Sequence, residues 1–289
     1  MMRMTTECIF CSLKMMNKNY AQFEKDEVKQ AQFLKRVCGV IAKAGEEKTP
    51  PEINSVIMKM IAQEAGVDDL FVDEKREYNR MIMGMEEVIW QHIEQAEDLL
   101  YRALQYAMTG NYIDFGVTSK VTEEKLGELI EAASDIDLGA TYEKLEADLG
   151  DAKSLVYLLD NCGEIVFDKM CIKEIARLYP KLKITAVVRG MPTYNDVLMA
   201  DAQQTGLTQL VDVVDNGSDV PGTILPDIRK STRRLIEDAD VVIAKGMGNY
   251  ETMVGCGLNV YYIFLCKCQR FEKEFGLPQY SGVLAKETE

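Results

Sequence analysis

Between residues 75 and 108 apolar side chains recur at steps of three and four, among them Tyr78, Met81, Met85, Ile89, Ile93, Leu100, Leu104 and Ala107. That spacing sets them on one stripe and predicts a single long amphipathic helix. Shorter stretches with helical character flank it at 22–44, 51–65, 123–134 and 141–148. Pro50-Pro51 breaks the chain between two of them, because proline ends one helix and opens the next. The pattern changes near Asp151. Apolar runs at 154–159, 184–188, 210–214, 241–244 and 260–265 are short, rich in Val, Ile and Tyr, and spaced by helix-length segments. Runs that are apolar on both faces mark buried parallel strands. Residues 168–178, 197–205 and 231–236 then supply crossover helices. The expected class is α/β: a doubly wound, mostly parallel sheet (151–289) preceded by an N-terminal all-helical subdomain (1–150).

Composition narrows the function. A chain of 289 residues with 47% hydrophobic residues buries a full core. Its net charge of -14 argues against a general nucleic-acid binder and against attraction to anionic lipid. No run reaches membrane-spanning length, and Met1-Met2-Arg3-Met4-Thr5 lacks the apolar core of a secretory signal. Eight cysteines in such a chain read as reduced thiols in a cytoplasm. Nothing in the sequence sets the oligomeric state.

The chemistry gathers where the expected strands end. The run ending at Leu159 stops at Asp160-Asn161-Cys162-Gly163-Glu164. In a parallel sheet, the loops beyond the strand carboxyl ends form the binding crevice. Helix capping accounts for one of Asp160 and Asn161, though not for the pair together with Glu164 and Asp168. Asp196 follows the next strand by a short loop. Two carboxylates and an amide oxygen suit a small hard cation such as Mg²⁺ or Mn²⁺. Lys245-Gly246-Met247-Gly248-Asn249 closes the fourth strand; its glycines admit backbone N–H groups to an anion and the lysine adds charge. It is neither a Walker loop nor a dinucleotide fingerprint. Asp114, between Ile113 and Phe115, is a further carboxylate aimed toward the crevice on this reading.

The thiols offer a competing site. Cys8 and Cys11 form a CxxC, and Cys266 and Cys268 form a CxC. Together they make a zinc site only if the chain ends meet. Cys38, Cys162, Cys171 and Cys256 read as small buried hydrophobes. The sole histidine, His92, lies on the apolar stripe and reads as a core or domain-interface residue.

These loops resemble the metal-dependent damage-control phosphatase family. The resemblance rests on Asp160 to Glu164, on Gly190 to Asp196 with Asp201-Ala202 and Gly206-Leu207, and on Lys245 to Glu251. Asn111 to Gly116 and the Cys8–Cys11 pair are similar to its prokaryotic, CxxC-bearing subfamily. The resemblance implies an α/β sheet joined to a helical subdomain, and hydrolysis of phosphate monoesters with Mn²⁺, Co²⁺, Ni²⁺ or Mg²⁺. By motif it puts the metal ligands on Asp160, Asn161 and Asp196, and the phosphate on Lys245, Gly246, Gly248 and Asn249. Val197-Leu198-Met199 departs from the family pattern and leaves substrate contacts on that helix open.

The expected activity is metal-assisted phosphoryl transfer from a small phosphorylated metabolite, with no nucleic acid or membrane partner. Glu164 and Asp114 are the candidates for general base or leaving-group acid, and the nucleophile is either water or an aspartate. An aspartyl-phosphate mechanism of the haloacid-dehalogenase kind needs Asp-x-Asp, whereas Cys162 stands two residues after Asp160. The remaining alternative is a regulatory module whose metal or cluster sits on the cysteines.

Overall fold

In the computed structural model, which describes residues 1–113 and 123–287, the N-terminal part is helical. It comprises α1 (Thr6–Phe23), α2 (Glu27–Lys43), α3 (Pro50–Ala65), α4 (Val72–Met83), α5 (Glu86–Glu94), α6 (Leu99–Gly110), α7 (Glu123–Ala132) and α8 (Thr141–Asp151). Local chemistry sets these boundaries. Thr49 and Glu52 form a reciprocal capping box at the start of α3, and Gly66 closes that helix in the left-handed region at φ 70°.

The expected single helix over 75–108 is three helices. Chain breaks at Gly84-Met85 and after Glu94 interrupt it, and the Asp98 side chain caps α6 by accepting from the Tyr101 N–H at 2.9 Å. The apolar stripe survives the breaks, since Ile82, Ile89, Ile93, Leu100 and Leu104 still join one core. Periodicity therefore located the buried face and missed the interruptions.

The second half alternates β1 (Ser154–Leu158), α9 (Glu164–Leu178), β2 (Lys183–Val188), α10 (Met199–Gln204), β3 (Asp212–Asp215), α11 (Lys230–Glu237), β4 (Val241–Lys245), α12 (Gly246–Met253), β5 (Val260–Leu265), α13 (Gln269–Phe275) and β6 (Gly282–Lys286). The sheet order is β3-β2-β1-β4-β5-β6, with β6 antiparallel to β5 and the other pairs parallel. The chain is thus α/β with a mostly parallel sheet, as its apolar runs predicted, plus an edge strand they did not. Strand order reverses between β1 and β4, the place where open α/β sheets bind ligands.

Alternating side chains of β1 enter two different cores. Leu155 and Tyr157 face α4–α9 on one side, while Val156 and Leu158 face α11–α13 on the other. By packing, the helical part divides in two. Helices α4, α5, α6 and α8 share the core on one face of the sheet, whereas α1, α2 and α3 enclose their own cluster of Met16, Tyr20, Phe33, Val37, Ile57 and Ile61. This three-helix cap overhangs the carboxyl ends of the strands, where Met15, Pro51 and Asn54 meet Asp160 and Asp196. No helix among the described residues is long and apolar enough to cross a membrane.

Candidate active site

The end of β1 and the loop after β2 are stitched together by main-chain bonds. Val197 N–H donates to Asp160 O at 2.9 Å, Cys162 N–H donates to Asn195 O at 2.8 Å, and Asn161 and Asp196 form an isolated antiparallel bridge. This pairing brings Asp160, Asn161 and Asp196 to one place, with all three side chains nearly excluded from water. They line a cleft of about 120 Å³.

Polar contacts fix each group. Asn161 Nδ2 donates to Asp160 Oδ2 at 2.6 Å and to Glu164 Oε2 at 2.8 Å, which turns its amide oxygen away from both carboxylates. Asn111, at the end of α6, donates to Asp160 Oδ2 at 3.2 Å and to Glu164 Oε2 at 3.0 Å, while its Oδ1 accepts the Leu265 N–H at the end of β5. Asn111 therefore ties two strand ends together. Gly163 opens α9 at φ 78°, and its N–H donates to Asn79 Oδ1 at 2.7 Å. A side chain there would meet Ile113 and Tyr78 as well as a strained backbone.

Arg189, the residue just past β2, was missed by the sequence reading. It is among the largest fully buried side chains. Its Nε donates to Asp196 Oδ2 at 2.7 Å, its Nη2 lies 3.6 Å from Asp160 Oδ1, and its Nη1 reaches Asn249 Oδ1 at 3.4 Å. One planar cation thus joins both aspartates to α12, and Nη2 has no hydrogen-bond acceptor among the described residues. An arginine following a strand of Val and Ala was the available signal, but its inward aim depends on strand register.

Lys245 is placed differently from its sequence reading. Its ammonium is fully buried and donates to Ala107 O at 2.8 Å, Glu164 Oε1 at 2.7 Å and Asp168 Oδ1 at 2.6 Å. Three acceptors use its three N–H bonds, so it points behind the cleft instead of into it. Burial alone would lower its pKa, yet Asp168 and Glu164 outweigh that and raise it. Asp168 is pushed up to about 7, mainly by burial and further by Glu164, with Lys245 and the Tyr157 hydroxyl pulling down. Glu164 is wholly enclosed by Lys245, Asn111 and Asn161. Its geometry is that of a brace for Asn161.

The glycine segment read as a loop is the first turn of α12. Gly246 sits at φ 79°, and a Cβ there would run into the Asp160 carboxylate. Gly248 lines the cleft, and a Cβ on it would strike Pro221 O. First-turn N–H groups have no intrahelical acceptor, so this helix start presents donors beside Asp160. Asn249 is held by its Nδ2 on Lys245 O at 2.7 Å and by Thr223 Oγ1 on its Oδ1 at 2.8 Å. Lys267, buried just past β5, lies near enough to act on the Asp160 charge. Asp160 is itself raised well above the ordinary carboxylate range, first by burial and then by Asp196 and Glu164, against Arg189 and Lys267. Asp114 lies outside the described residues.

The donor set fits a divalent cation. Asp160, Asn161 and Asp196 bring two carboxylates and one amide to a single cleft wall, and the Asn161 amide, whose Nδ2 now faces Asp160, offers its oxygen to the same ion once the amide turns over. Gly246 keeps the space next to Asp160 clear of a side chain.

The cysteines behave otherwise. Cys8 and Cys11 lie in the first turns of α1, and the chain ends do meet: Arg270 Nη1 approaches Cys8 Sγ at 3.5 Å, Lys273 pairs with Glu7, and Cys11 acts on the charge of Cys268. Cys266, however, is buried in the aromatic core against α13. Among the described residues no group of three or more His, Cys, Asp or Glu is arranged to hold a metal. Cys162 and Cys171 are buried with raised pKa values, as inert core thiols are. His92 is exposed, not in the core, with its Nδ1 3.0 Å from the Tyr106 hydroxyl.

Fold and cleft together define an α/β protein with a carboxylate site at the sheet's switch point. The chain belongs to the family of the damage-control phosphatase ARMT1-like domain, whose model matches residues 4–283. It is 30% identical over 224 residues to a damage-control phosphatase of Archaeoglobus fulgidus, covering 76% of this chain and 77% of that one. It is 25% identical over 282 residues to a damage-control phosphatase of Pyrococcus horikoshii, covering 96% of each. An uncharacterized protein of Methanocaldococcus jannaschii is 30% identical over 97% of this chain and 94% of its own. The crystal structure of a DUF89 family protein from Pyrococcus horikoshii superposes with a TM-score of 0.87 over 100% of both chains at 24% identity, which shows the shared fold.

Proposed function

We propose that this chain is a metal-dependent phosphomonoesterase of the cytoplasm, acting on small damaged or surplus phosphorylated metabolites. Family membership supports phosphatase activity on damaged metabolites. The observation that carries the finer reading is the bridge that sets Asp160 and Asn161 against Asp196 at the switch point, with Arg189 behind them. Asp160, Asn161 and Asp196 hold Mn²⁺, Co²⁺, Ni²⁺ or Mg²⁺. When bound, the cation supplies charge neutralisation and Lewis acidity at the phosphate.

The protein's own groups do the rest. N–H groups of Gly246 to Gly248 at the α12 start cradle phosphate oxygens, and Lys267, close enough to act on the Asp160 charge, adds positive potential there in place of the inward-turned Lys245. Arg189 holds the two aspartates in register. Lys245 and Glu164 act at one remove: Lys245 fixes Glu164, and Glu164 fixes Asn161. Asn249 keeps the first turn of α12 against β4 and Arg189.

The test is hydrolysis of an aryl phosphate by metal-stripped protein with Mn²⁺, Co²⁺, Ni²⁺ or Mg²⁺ restored, beside Asp160→Ala. Turnover that returns with metal and is absent in the variant supports the proposal. Failure of every metal to restore turnover, with metal still retained by Asp160→Ala, would instead favour the cysteine-based module.

A further inference from the structure

We infer that Tyr194 is a positioning residue that couples the three-helix cap to Asp196, an inference that rests on the metal reading of that aspartate. Tyr194 belongs to the sheet half, yet its ring is buried in the cap's own core with Met16, Tyr20, Phe33 and Ile57. Among the described residues it is the one member of that cluster from beyond Phe71. Its backbone has a φ of 40°, in the left-handed region that a bulky aromatic residue rarely occupies. Such strain persists only where surrounding structure enforces it, and it clusters at working sites.

The enforcement is visible on both sides. Downstream, Asp196 N–H donates to Thr193 O at 3.0 Å and Asn195 O accepts the Cys162 N–H at 2.8 Å, so Tyr194 and Asp196 sit in one short, braced turn. Asn195 Nδ2 adds a bond to Ile113 O at 3.2 Å. On the cap side, Tyr194 shares a pocket of about 60 Å³ with Met58, Leu70 and Phe71. The cap residues Met15, Pro51 and Asn54 line the same cleft as Asp160 and Asp196, and Tyr194 lines it between them. On this inference the organic part of a substrate seated in that cleft would press on the cap while its phosphate meets the aspartates. Movement of the cap reaches Asp196 through the Tyr194 ring and a two-residue lever, so leaving-group recognition sets the geometry of a metal ligand.

The experiment is calorimetric titration of the full chain with Mn²⁺ in the absence of substrate, with melting temperatures measured in parallel. Tyr194→Ala is expected to weaken Mn²⁺ binding by about tenfold, the usual scale for losing a group that orients a ligand. Tyr194→Phe keeps the ring and the affinity. Tyr194→Gly removes the ring while freeing the backbone, and is expected to match Tyr194→Ala, which keeps the test open if that variant does not fold. Val37→Ala loosens the same cap core away from the loop and is expected to leave Mn²⁺ affinity unchanged. Unchanged affinity in both ring-deleted variants overturns the coupling, as does an equal loss in Val37→Ala. If the parent binds Mn²⁺ no better than Asp160→Asn, the metal reading fails and the coupling falls with it.

Discussion

Gly246 shows how narrowly one residue is constrained. It combines a φ of 79° with a Cβ position already filled by the Asp160 carboxylate. Gly246→Ala is expected to cost about 1–3 kcal/mol in backbone strain and to displace Asp160. Urea denaturation checks the first effect and phosphatase assay the second, where activity should fall at least as far as in a variant that merely loses stability. Lys245→Met leaves Glu164 and Asp168 buried without their cation, and is expected to destabilise by about 3–5 kcal/mol in the same denaturation experiment. Glu251, on the cleft wall, gives a pH prediction. Burial pushes its pKa from 4.5 up to about 7, with Arg270 pulling down and Glu274 adding to the rise. Because the folded value is raised, its contribution to stability is fully present below 4.5 and is lost as pH climbs through about 7. Glu251→Gln does not titrate, so its stability relative to the parent should improve from pH 5 to pH 8, as measured by denaturation at both. Equal differences at the two pH values would refute the assignment. At this scale the sequence was half legible. Acid and amide residues at strand ends announce themselves by type and place, which is why Asp160, Asn161 and Asp196 stood out. The directions taken by Arg189, Lys245 and Lys267 depend on register and on partners up to 138 residues away, as in the bond from Lys245 to Ala107.

At the scale of elements, hydrophobic period predicted the five parallel strands to within two residues at each end. For β1, β2, β4 and β5 it did so because strands buried on both faces have few polar positions to blur them, whereas the edge strand β3 was found from its Val213-Val214 pair and its spacing. The antiparallel β6, Gly282–Lys286, escaped notice because an edge strand has only one well-covered face and three of its residues carry no apolar bulk. The break of the long helix was equally hidden, since Gly84 and Asp98 are tolerable inside a helix until tertiary packing uses them. α13 is short, and its hold on the fold is aromatic: Phe271 packs edge-on against Phe264 at 5.4 Å between ring centres and against Tyr250 at 5.5 Å. Phe271→Ala should therefore cost about 3–5 kcal/mol. The same variant should release Arg270 and Lys273 from Cys8 and Glu7, and faster alkylation of Cys8 would report that release.

For the molecule as a whole, the division of packing matters more than the change of secondary structure near residue 151. Helices α4, α5, α6 and α8 share a core with the sheet, whereas α1–α3 enclose their own. Their bridges to the sheet half include Tyr194, the Ser55 hydroxyl on Asp219 at 3.2 Å, and the pairing of Lys59 with the same carboxylate. Hydrogen exchange should accordingly find the amides of α1–α3 opening at lower free energy than those of β1 and β4. Uniform protection across both halves would show a single cooperative unit. The sequence displayed the helical content of the cap but not its separateness, because amphipathic period reveals that a face is buried and not which partner buries it.

That separateness also bears on inheritance. A cap with its own core can vary in sequence, and even in outline, while the strand ends beneath it stay as they are. Descendants of one ancestral fold would then diversify in what they accept without rebuilding how they react. Each replacement cap inherits the same attachments: a socket for the residue at position 194 and partners for Asp219.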